Sequence, residues 1–167
     1  MHAPPFPFLA AGMRLDSGDL QAYILRHNIS AEIVHLPVDT PTVEAAAAAV
    51  GSRPEQIAKS LLFLKEGQPL LVIGHGLGRV DYRRLAGWLG VSRKKIQLAG
   101  GARVEAITGY AAGSVPPFGH LKPLRTLVAA GVLALSELYA GGGAINALLR
   151  IAPQELVRAS AAELVEL

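Results

Sequence analysis

Apolar and polar positions along this chain recur with two periods, and the switches between them mark out its elements. Leu20, Tyr23, Ile24 and His27 fall at helical spacing behind Asp16 and Ser17, either of which can cap a helix. Ala31 to Leu36 reads as a strand ended by Pro37. Thr42-Val43-Glu44 and the five alanines after it predict a helix capped by Thr40 or Thr42 and stopped by Gly51. Ile57 to Leu64 and Pro69 to Ile73 are apolar runs joined by Lys65-Glu66-Gly67-Gln68, which predicts an antiparallel hairpin.

Beyond the hairpin, Gly74-His75-Gly76-Leu77-Gly78 predicts a strand-to-helix turn. It lacks the Gly-Lys-Ser/Thr ending of a phosphate loop and the spacing of a dinucleotide fingerprint. Asp81 caps a helix over Tyr82 to Leu89 that Gly90 stops. A short helix follows at Ala102 to Ile107, then a strand at Leu124 to Ala129 and an apolar element of open type at Val132 to Leu138. Gly141-Gly142-Gly143 reads as a hinge or tight turn, Asn146 to Ile151 as a strand, Pro153 as the first turn of a last helix reaching Ser160, and Glu163 to Leu167 as a terminal strand. Helices interleaved with hairpins, without regular βαβ alternation, place the chain in the α+β class.

The 167 residues fit a single domain over 14–167, preceded by a Pro-rich lead-in over 1–13 that is expected to be flexible. Absence of cysteine excludes disulfides and thiolate metal sites, which favours a cytoplasmic protein. The apolar run Thr126 to Ser136 is eleven residues, short of the roughly twenty a membrane span needs, and no membrane association is expected. A net charge of +3 permits contact with nucleic acid without demanding it. The densest basic region is Arg79, Arg83, Arg84, Arg93, Lys94 and Lys95, readable as a phosphate-contacting face or as a solvated surface.

Two features carry candidate chemistry. Lys59 stands near the start of an apolar strand, where an ammonium is costly to bury, so it either snorkels to the edge or points into a cleft. The stretch from Thr108 to His120 holds three glycines and Pro116-Pro117, which can continue neither helix nor central strand. It is a shaped loop, either a structural turn or one that presents backbone amides to a ligand oxygen. His2, His27, His35, His75 and His120 have no metal-site spacing, and no metal or cofactor is expected. Ser114 and His120 can be cast as nucleophile and base, but no third group can be placed with them.

Thr40-Pro41-Thr42-Val43-Glu44-Ala45-Ala46, Gly51, Gln56-Ile57-Ala58-Lys59-Ser60-Leu61-Leu62-Phe63, Arg79-Val80-Asp81, Thr108-Gly109-Tyr110 and Val115-Pro116-Pro117-Phe118-Gly119-His120 stand in the order and approximate spacing of one family. In these residues the chain resembles the YbaK family, the free-standing relatives of the bacterial prolyl-tRNA synthetase editing domain, from about Ala31 to the C-terminus. The resemblance implies a compact, mixed, mainly antiparallel and partly barrel-like sheet surrounded by helices. It implies an aminoacyl-tRNA deacylase that hydrolyses the ester of a mischarged tRNA. No DNA partner is expected, and an aminoacyl-tRNA synthetase is allowed as a second partner.

By the same resemblance, Lys59 is the catalytic lysine and Gly113, Ser114, Val115, Pro116, Pro117, Gly119 and His120 form the substrate loop, with Gly143 in a Gly-x-x-Asn arrangement ending at Asn146. The ester would be attacked by water or by the neighbouring ribose hydroxyl, with no side-chain nucleophile. Where many relatives place an acidic residue after the strand that follows the Pro-Pro loop, this chain has Leu127-Val128-Ala129-Ala130, and where others have a Gly-Arg-Gly-Leu-Asp type stretch it has Gly141-Gly142-Gly143-Ala144-Ile145-Asn146. The alternative reading is therefore a non-catalytic module that binds tRNA ends or another aminoacyl or nucleotide ligand.

Overall fold

A computed structural model describes residues 14–167; the expected flexible lead-in lies outside the described residues. Helix α1 (Ser17–Arg26) begins where Asp16 accepts from the Gly18 and Asp19 amides while the Asp16 amide donates to the Asp19 carboxylate. That reciprocal cap satisfies donors the first helical turn would leave bare. Leu20 and Ile24 form its buried face. Strand β1 (Ala31–His35) leads to α2 (Val43–Val50), which is capped by the Thr42 hydroxyl and closed by Gly51 at φ 66°. Its alanines let it lie close over the sheet, with Ala46 and Ala47 buried beside Ile57, Tyr139 and Leu148.

Strands β2 (Ala58–Lys65) and β3 (Gln68–His75) form the expected hairpin around Glu66-Gly67, both with positive φ. Two such residues give the tight turn whose twist matches flanking strands. Helix α3 (Tyr82–Leu89) starts on Asp81 and ends at Gly90. Strand β4 (Ile96–Leu98), α4 (Gly101–Thr108) and β5 (Arg125–Ala129) follow. The open apolar element resolves into a 3₁₀ turn, Ala130–Ala134, followed by β6 (Leu138–Gly141). The glycines after it turn the chain into β7 (Ala147–Ile151), and α5 (Pro153–Ser160) and β8 (Glu163–Val165) complete the fold.

The strands form two sheets. One runs β1-β7-β6 and is wholly antiparallel. The other runs β4-β2-β3-β5-β8, with β5 parallel to both β3 and β8. The sheets meet at the isolated parallel bridge Ile57–Tyr139 and do not close into a barrel. The largest core cluster, with Leu20, Ile73, Tyr110, Val128 and Leu149, is shared between them and α1. A second, around Phe63, Val72 and Leu85, fills the space under α3. Mixed α+β architecture is thus as expected, and α3, α4 and the long loop form the crossover that makes β3 and β5 parallel.

Candidate functional site

Past the Ile57–Tyr139 bridge the two sheets splay, and the gap between β2 and β6 opens as a cleft of about 360 Å³. That volume falls toward the small end of ligand pockets. Its walls are β2 from Ala58 to Leu61, the start of α2 with Thr40 to Val43, and Gly113, Val115, Ala140 and Gly141. Lys59 is the sole charged side chain among the lining residues. Its Nζ donates to the Gly78 carbonyl at 2.8 Å, and no carboxylate among the described residues pairs with it. One hydrogen bond leaves two ammonium donors unspent. Lys59 thus borders the cleft, while its half-buried side chain carries Nζ to Gly78, an exposed residue outside the lining.

Ser60, the next residue, also lines the cleft. Sequence reasoning passed over it, since one serine in an apolar strand carries no signal. Its Oγ is buried and makes no hydrogen bond, the one such side-chain atom among the described residues. Burying a hydroxyl unpartnered costs about 1–3 kcal/mol, and a ligand group that reached it would recover part of that cost.

The backbone there is open as well. Because the hairpin turn is two residues long, Lys65 and Gln68 form its last hydrogen-bonded pair, and the even-numbered residues of β2 turn their amides to the opposite edge. Consistent with this, the Leu62 carbonyl accepts from the Ala99 amide. Strand β4 covers that edge only opposite Phe63 to Lys65, so the N–H and C=O of Ser60 face the cleft.

The Gly/Pro loop supplies the facing wall, cross-braced from several sides. Tyr110, fully buried, donates through its hydroxyl to the Gly119 carbonyl at 3.3 Å. His120 Nε2 lies 2.7 Å from the Pro116 carbonyl, and the Leu121 amide donates to Thr108. The Phe118 ring stacks against Tyr23 at 5.8 Å between centroids. Burial lowers the His120 pKa to about 4, so the ring is neutral and acts as a brace. Burial also raises the Tyr110 hydroxyl well above its ordinary value, with Asp19 and Asp16 adding to the effect.

These braces distribute the loop residues over different surfaces. Gly113 and Val115 reach the cleft, and neither amide has an acceptor among the described residues. The Ser114 amide and hydroxyl both donate to Ala111, while its carbonyl accepts from the Gly143 amide at 3.0 Å. Ser114 and Gly143 together border a separate hollow beside Arg14 and Asp16. Pro117, Gly119 and His120 border another, against Tyr23 and the end of α5. Pro116 lies between, with its carbonyl held by His120. The Asn146 amide group donates to the Leu36 carbonyl at 3.4 Å, fastening the β6–β7 turn to the end of β1. No group of three metal-ligating side chains occurs among the described residues, and no helix there is long and apolar enough to cross a membrane.

A protein of Bacillus subtilis, the uncharacterized YwhH, is 25% identical over 138 residues, which cover 82% of this chain and 86% of its own. Among solved structures, a proposed trans-editing enzyme for prolyl tRNA synthetase superposes with a TM-score of 0.84 at 32% identity, over 90% of this chain and 94% of its own. The hypothetical protein APE2540 does so with 0.82 at 29% identity, over 89% and 97%. The pattern of the aminoacyl-tRNA editing domain matches residues 38–159, a span that holds Lys59, Ser60 and the whole Gly/Pro loop. With most of its length inside that pattern and its fold shared over 90% of the chain with such a relative, the chain belongs to the aminoacyl-tRNA editing domain family.

Proposed function

We propose that the chain is a free-standing deacylase that hydrolyses the ester linking a wrong amino acid to the terminal ribose of a tRNA, with mischarged tRNA as its partner in the cytoplasm. The observation that carries this reading is that Lys59, Ser60, Gly113 and Val115 line one cleft, with no acceptor for the Gly113 and Val115 amides among the described residues. Lys59 uses its two spare donors to hold a phosphate or carbonyl oxygen at the 3′ end. The Gly113 and Val115 amides stabilise negative charge that develops on the ester carbonyl oxygen in the transition state. The Ser60 hydroxyl orients the aminoacyl group.

No carboxylate or imidazole lines the cleft, so the reaction relies on positioning an already activated ester. Water, or water aided by the adjacent ribose hydroxyl, adds to the carbonyl carbon. The ester C–O bond then breaks, and the departing ribose oxygen takes up the proton that water gives. Apolar walls of Val43, Ala46, Ile57, Val115, Ala140 and Leu148, with Lys59 committed elsewhere, suit an uncharged amino-acid side chain.

The test is a panel of mischarged tRNAs incubated with the protein and with Lys59→Ala. Ester loss with the unaltered protein, reduced by roughly 100-fold or more in the variant with its melting temperature unchanged, is the expected result. Equal activity in the variant would remove Lys59 from the mechanism. The absence of an acid or base from the cleft favours a second reading, a binding module for aminoacylated ends. Binding across the panel with no ester loss would establish that reading instead.

A further inference from the structure

The charges of this chain are not spread evenly. Residues 57 to 104 hold nine Lys and Arg against two acids, Glu66 and Asp81, a net +7, while the rest of the chain carries −4. Elsewhere the cations are largely matched: Arg14 with Glu105, Arg125 with Glu163, Arg150 with Glu137 and Glu32, Arg158 with Glu155. In the basic half, only Lys95 has a carboxylate, Glu66 at 3.4 Å. The Asp81 carboxylate is taken by the Arg83 and Arg84 amides at the start of α3. Arg79, Arg83, Arg84 and Lys94 are exposed and have no ion-pair partner among the described residues. Packing does not explain a cluster of like charges left uncompensated, because mutual repulsion works against the folded state.

Placement does. The Lys59 Nζ is bonded to the carbonyl of Gly78, immediately before Arg79, so the cluster begins at the cleft. Arg83 and Arg84 follow in the first turn of α3. The Arg93 guanidinium lies over the Tyr82 ring at 4.4 Å, which draws the Arg93–Lys95 turn to the same helix end. Lys95 is joined through Glu66 to the far tip of the β2–β3 hairpin. Lys59 and Lys65 mark the length of β2, roughly 20 Å at strand rise. One basic track therefore leaves the cleft and runs beside α3 toward the hairpin tip.

We propose that this face is the docking surface for the acceptor arm of tRNA, with the 3′ end entering the cleft at Lys59 and the phosphates of the paired stem lying along Arg79, Arg83, Arg84 and Lys94. The assignment rests on the deacylase reading above. Such contacts release counterions and fix register without reading bases. Specificity for the amino acid then lies in the cleft and affinity for the tRNA on this face.

The experiment compares two substrates: a mischarged tRNA and the same amino acid esterified to adenosine alone, which has no stem. The triple variant Arg79→Gln/Arg83→Gln/Arg84→Gln, with its melting temperature checked against the unaltered protein, should lose about 10- to 100-fold in kcat/KM on the tRNA and stay within about twofold on the adenosine ester. In parallel, anisotropy of a labelled RNA hairpin with a single-stranded 3′ tail should show weaker binding and a salt dependence shallower by about two in log–log slope. Arg125→Gln and Arg158→Gln serve as controls that leave RNA binding unchanged. Unaltered hairpin binding in the triple variant, or equal losses on both substrates, would overturn the docking assignment. If the unaltered protein cleaves neither ester, the deacylase reading fails, and the hairpin measurement still decides whether this face holds RNA.

Discussion

Gly141 and Val115 are packed backbone to backbone: a β-carbon on Gly141 would stand 2.2 Å from the Val115 carbonyl oxygen. The edge of β6 and the Gly/Pro loop touch there with no side chain between them, at two residues that both line the cleft. Gly141→Ala must therefore push the loop or the strand aside. Overpacking of this kind costs about 1–3 kcal/mol, and the loss of alignment should lower kcat/KM on a mischarged tRNA by at least about tenfold. Gly87→Ala is the matched control, since Gly87 lies within exposed α3 with open space around it. There alanine should raise stability by about 0.5–1 kcal/mol. Thermal unfolding of both variants beside the activity assay checks the pair, and a silent Gly141→Ala would refute the close-contact account.

Ser60→Ala separates a structural from a functional serine. Removing an unpartnered buried hydroxyl should leave the melting temperature unchanged or slightly raised. If the hydroxyl orients substrate, KM should rise about 5- to 10-fold, equivalent to one ordinary hydrogen bond. Full kinetics on one good substrate reads both parameters. Unchanged KM with raised stability would make Ser60 a packing defect and nothing more.

The buried imidazole of His120 gives the fold a pH signature. Its pKa is about 4 against an ordinary 6.5, so as pH falls the unfolded chain takes up a proton before the folded one does. Its contribution to stability is complete above about pH 6.5 and is lost as the pH drops toward 4, by about 3 kcal/mol. Urea unfolding at pH 7, 5.5 and 4 should show that decline, and His120→Gln should flatten it. Parallel curves for the two proteins would show that His120 is not its source.

Ser114 is expected to be inert toward organophosphonates, because its hydroxyl donates to the Ala111 carbonyl at 2.9 Å and His120 is engaged with Pro116. Ser114→Ala should retain deacylation and lose about 1 kcal/mol of stability with that hydrogen bond. Covalent labelling detected by mass spectrometry would reopen a serine mechanism.

Most elements were legible because helix and strand periods, caps and stops are local signals: Asp16, Thr42 and Asp81 cap as their positions suggest, and Gly51 and Gly90 end helices in left-handed conformation. Strand β4 was not legible, since Ile96-Gln97-Leu98 is three residues following a basic turn. Nor was β6, whose four residues Leu-Tyr-Ala-Gly end in two weak strand formers and pair along β7. The site divides in the same way. Lys59 and the Gly/Pro loop stand out in sequence by being unlike their surroundings. That Gly113 and Val115 line the same cleft as Lys59 while Ser114 and His120 border other hollows depends on cross-chain braces such as Tyr110 to Gly119, which no local pattern encodes.

The single bridge between Ile57 and Tyr139 leaves the cleft at a seam rather than inside a sheet. Each sheet keeps its own ladder of hydrogen bonds whatever side chains stand on the rim. Substitutions at Val43, Ala46, Ala140 or Leu148 therefore reshape the chamber without breaking a strand pairing. Selectivity for the amino acid is in this sense modular: it can drift over generations while the scaffold that aligns Lys59 with the loop stays put.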